Sequence, residues 1–416
     1  MSTYYCDLTA DYADNPGTLA DPYAGPAGLQ AALRGTGNAV ALVAGDTLYI
    51  KGSGDLSRLV LIDCDSTDVT GWGLGDVVRN KDAGSAWQGV VVETNSGGFL
   101  GADDLALVWL DSGYDEDSIL VAEGVTNDDA SGGASDPTNV DPLANRSAPG
   151  VYLGANGTNV AKVHYVGVNA AWVEDGSRAV LDGADKAYTG LRNAASINWQ
   201  EFRNIHTRRV VDKAWMADQH INYSVFVNCV ASESAGGFGG TYAIRFSTAF
   251  GCTAYDNNAV GMKLYYSSGV NCTAYNNGAY GFELAVASLA NSVSFENVYG
   301  AYLPGSCSVV NCVFDKNLSH GVVSTGASSQ LVACRITNNA SYGIFGDNPV
   351  HDPYSFYSGN AANFENDIHD ARVRGVSTRV TTGTIGYIDN DDATPNDQRN
   401  YGLTNQAAAR RMEAVL

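Results

Sequence analysis

A cysteine or its near-isostere serine returns at Cys229, Cys252, Cys272, Ser292, Cys312 and Cys334, at spacings of 23, 20, 20, 20 and 22 residues. A repeat this short leaves few folds open, because one copy cannot bury a core alone and must stack on its neighbours. Nine residues after the slot, or eight in one copy, a glycine recurs at Gly261, Gly281, Gly300, Gly321 and Gly343. Four residues before most of these glycines stands an asparagine, Asn257, Asn277, Asn317 or Asn339, with Asn297 one place off in the shortened copy.

Around each slot apolar and polar residues alternate. Phe250, Cys252 and Ala254, then Val270, Cys272 and Ala274, Val310, Cys312 and Phe314, and Val332, Cys334 and Ile336 each share a face, which predicts a strand. A second alternation follows each glycine, with Met262/Leu264, Phe282/Leu284 and Ala301/Leu303 on one side and Lys263, Glu283 and Tyr302 on the other. Two or three short strands per copy, joined by Asn/Gly turns with left-handed backbone, describe one coil of a solenoid. The pattern resembles the right-handed parallel β-helix of pectate lyases and phage tailspikes over roughly residues 180–346. The fold class expected is therefore all-β, a right-handed parallel β-helix. Upstream the match weakens: Ile205 takes the slot with Ala214 nine residues on, and Cys229 is followed by Ala243 if residues 236–240 are a loop insertion.

Three regions follow. Residues 1–150 hold a helix at 24–34, with Leu29, Ala32 and Leu33 on one face, then strand-like runs at 59–62, 89–92 and 105–110 without clear period. The resemblance implies that this helix caps the open end of the solenoid. Residues 151–350 carry the β-helix, and the repeat ends after Gly346. Residues 351–416 form a tail with a terminal helix at 406–416, and residues 127–148 read as a long polar loop.

A formal charge of -21 excludes an extended phosphate-binding surface, so neither nucleic acid nor an anionic membrane is an expected partner. No apolar run approaches the ~18 residues of a membrane helix. The first residues carry no basic leader or apolar stretch, so no signal peptide is expected. Eight cysteines in 416 residues, without a CxxC pair, read as a structural ladder of small core side chains rather than a disulfide or metal framework. Asp128, Asp129 and Asp136, and Asp389, Asp391 and Asp392, could ligate Ca²⁺ but match no calcium-loop spacing. No metal or cofactor is expected.

Chemistry must then lie on the outward faces, where adjacent coils stand ~4.8 Å apart. Four places after the slot run Glu233, Asp256, Asn276, Glu296 and Lys316, which makes Glu233, Asp256 and Glu296 the candidate catalytic carboxylates. The same residues read more readily as ordinary solvated turn positions, which is the stronger reading. Thr253, Thr273, Val293 and Val313 beside Tyr255, Tyr275 and Phe295 form an apolar, aromatic stripe that a partner should cover. The resemblance implies a homotrimer assembled along such a face. The expected function is a structural virion protein, in a tail fibre, spike or head-decoration position, assembled in the host cytoplasm with itself and other virion proteins and attaching to host-surface glycan. The alternatives are a polysaccharide depolymerase using the carboxylates and a non-catalytic carbohydrate-binding β-helix using the aromatic residues.

Overall fold

A computed structural model describes residues 1–11, 13, 15–34, 39–63, 77–80, 87–94, 105–110, 120–122, 151–154, 157–185, 187, 189–192, 197–215, 221–238, 244–326, 329–346, 350–364 and 368–374. Both calcium candidates, the polar loop at 127–148 and the terminal helix at 406–416 lie outside these residues. The chain divides into two units, Met1–Ile221 and Asn222–Leu416.

The unit Asn222–Leu416 is a parallel β-solenoid of about seven turns. First strands, such as Thr248–Phe250, Ser268–Val270, Ser288–Ala290 and Ser308–Val310, pair in parallel without register shifts. So do second strands, such as Thr253–Tyr255, Thr273–Tyr275, Val293–Phe295 and Val313–Asp315. Third strands, including Met262–Tyr265, Tyr280–Ala285 and Tyr299–Leu303, form a separate sheet.

One left-handed residue separates first from second strands: Asn228, Gly251, Asn271, Asn291, Asn311 or Ala333, with φ of 53–63°. This corner resets the alternation, so the single strand expected around each cysteine is in fact two. Ala249, Cys252 and Ala254 face inward, whereas Phe250 (46% exposed) and Val310 (37%) point out, contrary to the sequence reading. Cys229, Cys252, Cys272, Cys312 and Cys334 are buried thiols without disulfides. Burial pushes the Cys252 thiol well above its usual range. Ser292 keeps the slot by size but adds a bond, since its Oγ accepts from the Cys272 N–H at 3.0 Å.

The asparagines form a buried ladder. Asn257 donates its Nδ2 to Asn277 Oδ1 at 2.9 Å, Asn277 to Asn297 at 2.8 Å, Asn297 to Asn317 at 3.4 Å, Asn317 to Asn339 at 2.8 Å and Asn339 to Asn360 at 2.8 Å. Each receiving Oδ1 also takes the backbone N–H of the preceding asparagine, and most Nδ2 groups also reach a main-chain carbonyl. Asn297 is thus in register; the missing residue of its copy falls between Asn297 and Gly300. Neither these asparagines nor the recurring glycines adopt positive φ, so they are not the left-handed turn residues expected. The glycines serve close approach instead: a Cβ on Gly300 would lie 2.3 Å from the Gly321 carbonyl oxygen and 2.8 Å from Asn317 Nδ2.

Two further corrections concern the ends of the repeat. Gly236–Phe238 is a strand, with Phe238 opposite Met262, so Gly237 fills the glycine slot and the expected loop does not begin there. Another copy follows Gly346: Ser355 Oγ accepts from the Cys334 N–H at 2.9 Å, and Asn360 continues the ladder.

In the unit Met1–Ile221, stacking starts near the first residue. Thr3–Asp7, Thr47–Lys51, Val163–Val168 and Gln200–Arg203 pair in parallel, as do Ser53–Asp55, Ala179–Asp182 and Ile205–Arg208. Ala214, on Lys213–Trp215, is buried beside the strand Thr189–Arg192. The strand runs predicted at 59–62, 89–92 and 105–110 belong to an antiparallel sheet of Leu59–Asp63, Leu105–Leu110, Trp87–Thr94, Val77–Asn80 and Leu120–Ala122, in that order. The predicted helix is Gly25–Arg34; its Leu29 and Leu33 border a small apolar cavity with Ile50, Tyr165 and Phe202.

Candidate functional site

The outward stripe stands in register. Thr253, Thr273, Val293 and Val313 follow one another in one file, and Tyr255, Tyr275, Phe295 and Asp315 in the next. Tyr255 and Tyr275 stack at 5.0 Å and 3°, Tyr275 and Phe295 at 5.0 Å and 8°. Stacked rings hide faces against one another and turn edges outward, which favours packing over the face-on stacking of a sugar. Burial, then Tyr255 and Asp256, raise the Tyr275 hydroxyl above its usual range. The aromatic file ends where Asp315 accepts from Thr337 Oγ1 at 2.6 Å and Asn338 Nδ2 at 2.8 Å.

The candidate carboxylates occupy the corner after the second strand. Glu233, Asp256 and Glu296 share it with Asn276 and Lys316, all at φ of 53–56°. Asn276 donates its Nδ2 to Asp256 Oδ1 at 2.5 Å and so stands between Asp256 and Glu296. The file gathers these acids one above another, with an amide rather than a second acid as the immediate neighbour of Asp256 on that side.

On the third strands Lys263 pairs with Glu283 at 2.7 Å. Arg245 is not stacked on Lys263: its register partner is Tyr265, and its guanidinium lies 4.9 Å from the Phe246 ring centre. Phe246 belongs to a file missed in the sequence, Tyr223, Phe246 and Tyr266, with ring centres 5.4 Å apart. Its spacings of 23 and 20 residues match the cysteine slot, so the same period would have found it.

A titratable cluster also escaped the sequence reading, in the unit Met1–Ile221. His164 and Glu201 face each other on adjacent turns, with His164 Nδ1 3.4 Å from Glu201 Oε2. Arg203 donates through Nε to Glu201 Oε1, and its Nη1 lies 3.7 Å from Glu174 Oε1. On the next strand file, Asp182 receives Arg208 at 2.8 Å and Arg209 at 2.6 Å. Burial raises the Asp182 carboxyl, but bonds from Arg209 and Arg208 outweigh it and hold the group below its usual range. Burial first, then Arg208 and Arg178, lower His206 to about 4, so it is neutral at pH 7. The signal in sequence was the excursion at 169–178, where the later turn uses the single residue Asn204. Among the described residues no group of three or more His, Cys, Asp or Glu is placed to hold a metal ion.

No family model and no curated protein matches the chain. Its structural neighbours are pectate lyase, tailspike and epimerase β-helix proteins. Pectate lyase Pel9A is 12% identical over 92% of this chain and 82% of its own, with a TM-score of 0.49. A rhamnogalacturonan lyase is 14% identical over 99% and 98%, with a TM-score of 0.46. The tailspike protein gp49 from Pseudomonas phage LKA1 is 11% identical over 87% and 76%, with a TM-score of 0.32. At these identities the likeness is one of fold.

Proposed function

We propose that this chain is a structural component of a bacteriophage particle, a tail fibre, spike or head-decoration protein, that acts by assembling with itself along the Thr253–Val313 and Tyr255–Phe295 files. The observation that carries the reading is that stripe: over three successive turns both files present only threonine, valine, tyrosine and phenylalanine, without a charge, on a chain of net charge -21. A charge-free strip is where copies of an acidic chain approach with least repulsion. β-Branched and aromatic side chains held in register make a flat, rigid surface that loses little side-chain freedom when covered. A parallel homotrimer brings three such strips together, and host-surface glycan attachment is the further role of the assembled particle.

Light scattering of the purified chain tests this. The expected mass is three times that of one chain. Thr273→Lys with Val293→Lys changes only outward positions, so the variant is expected to melt as the wild type does and to run as a monomer. A wild type that stays monomeric at tens of micromolar overturns the assembly reading. Release of reducing ends from host capsule or lipopolysaccharide, abolished by Asp256→Asn or Glu296→Gln, would instead favour the depolymerase.

A further inference from the structure

We propose that His164, positioned by Glu201, is the acid–base group of a second site, one that hydrolyses carboxylic esters carried on a carbohydrate. The site lies in the unit Met1–Ile221 and stands or falls independently of assembly. Three observations converge on it.

The first is the pair itself. Glu201, 11% exposed at its side chain, offers Oε2 to the Nδ1 edge of His164 at 3.4 Å, while Arg203 fixes Oε1. A carboxylate on Nδ1 sets the ring's tautomer and orientation and leaves Nε2 to exchange protons with a substrate. His164, 32% exposed at its side chain, is open to one. Glu201 is engaged by two cationic or basic partners, which suits a positioning residue better than a proton donor, so the chemistry is that of a base acting through histidine.

The second is the excursion between Val163–Val168 and Ala179–Asp182. It is tied internally, because Asn169 Oδ1 accepts from the N–H groups of Ala171 at 2.9 Å and Val173 at 3.0 Å, and Asn169 Nδ2 donates to Asp175 at 2.7 Å. It carries Glu174 to Arg203 and holds Trp172 at φ 64°, a backbone conformation that bulky side chains rarely adopt.

The third is the aromatic group beside the pair. Trp172 meets Tyr5 edge-on at 5.2 Å, Tyr5 lies 5.7 Å from Tyr49, and the Lys51 ammonium sits 4.2 Å over the Trp172 ring. Unlike the Tyr255–Phe295 stack, Tyr5 and Trp172 are crossed at 83° and Tyr5 and Tyr49 are tilted at 30°, so the rings do not hide all their faces on one another. Tyr49 stands two residues along its strand from Thr47, the register partner of His164. Crossed aromatic faces next to fixed charges suit a ligand with alternating apolar and hydroxylated surfaces, which is the chemistry of a sugar.

In the reaction, His164 Nε2 takes a proton from water as the water oxygen bonds to the acyl carbon. The acyl C–O bond then breaks and the proton passes to the departing sugar oxygen, which yields a carboxylic acid and a free hydroxyl with no other reactant consumed. Removal of O-acyl groups from a glycan is the activity inferred.

The test uses the full chain with two probes, p-nitrophenyl acetate and acetylated xylan, and measures released acetate. Saturable release from both is expected. His164→Ala should lower kcat by ~100-fold or more, and added imidazole should restore part of the loss. Glu201→Gln should lower kcat while leaving KM in place, with an unchanged melting curve. Trp172→Ala should raise KM for acetylated xylan and not for p-nitrophenyl acetate. No release above buffer, full activity in His164→Ala, or no response to imidazole overturns the proposal; hydrolysis of the small ester alone overturns its carbohydrate part.

Discussion

Asn297→Asp is expected to destabilise the protein by about 3–5 kcal/mol at neutral pH, the range seen when a buried charge loses its compensation. Asn297 is fully buried, and its Nδ2 donates to the Ala274 carbonyl at 3.0 Å, to Ser294 Oγ at 3.0 Å and to the Phe295 carbonyl at 3.1 Å. Replacing that nitrogen by oxygen sets an acceptor against acceptors. If the new carboxylate ionises, its charge is buried without a cation; if it stays protonated, it supplies one donor where the amide supplied two. Its folded pKa must therefore rise above the unfolded value of ~3.9. The sign follows: the variant is least impaired below pH 4 and loses stability as pH rises through the elevated value. Urea unfolding from pH 3.5 to 8 measures it. Asn258→Asp, one place after the ladder residue Asn257 but exposed, should stay within about 0.5 kcal/mol of wild type. A flat pH profile for Asn297→Asp, or a cost no larger than that of Asn258→Asp, would show that the ladder is ornamental.

Gly300→Ala is the second large effect, about 3 kcal/mol, and its cause is steric. The backbone at Gly300 is not left-handed, so alanine is conformationally acceptable there. The added methyl, however, meets the Gly321 carbonyl oxygen at 2.3 Å, Asn317 Nδ2 at 2.8 Å and Phe314 Cδ1 at 2.9 Å. A main-chain oxygen in the next turn and a ladder amide cannot step aside without breaking bonds. Gly269→Ala provides the comparison, because the nearest atoms its methyl would meet are side-chain tips, Leu289 Cδ1 at 2.8 Å and Leu264 Cδ1 at 2.9 Å, rather than backbone. Its register neighbours Ala249 and Leu289 already carry side chains. Melting temperatures should therefore fall much further for Gly300→Ala than for Gly269→Ala. Equal shifts would mean that the glycine slot is not set by approach to the ladder.

These two positions show why part of the architecture could be read from residues alone. The cysteine slot, the asparagine and the glycine each answer a demand repeated in every turn: a small core side chain, an amide that both gives and receives, and a methyl-free approach. A repeated demand leaves a repeated letter. The corners escaped because a left-handed residue can be Asn, Gly, Asp, Glu, Lys, Ala or even Val286, and no letter marks the place where inward and outward exchange. Hence Phe250 was placed on the wrong face. The unit Met1–Ile221 was harder still, since its turns fill the interior with Tyr165, Phe202, Leu181 and Ile205 rather than a constant slot, and long excursions separate its strands. His164 and Glu201 are neighbours because Val163–Val168 and Gln200–Arg203 stack in register, across an interval that the excursion at 169–178 lengthens beyond the repeat of the later turns. The stripe was legible, as alternation requires no more than a period of two; that its rings stack edge-outward was not.

The asparagine ladder also has a polarity. Every rung hands its amide hydrogens onward in the same direction, from Asn257 through Asn360, so the row of side-chain dipoles points one way and its two ends differ chemically. At Asn257 the oxygen also accepts from the Ser234 N–H at 3.3 Å, and at Asn360, the last described rung, the nitrogen also reaches the Ile336 carbonyl at 2.9 Å. A whole copy can therefore be duplicated or deleted within the row without changing what either terminus needs. The unit is editable in quanta: its length changes in steps of one strand spacing, ~4.8 Å, and any edit that is not a whole step must be absorbed, as between Asn297 and Gly300, where neither the ladder nor the cysteine slot feels it.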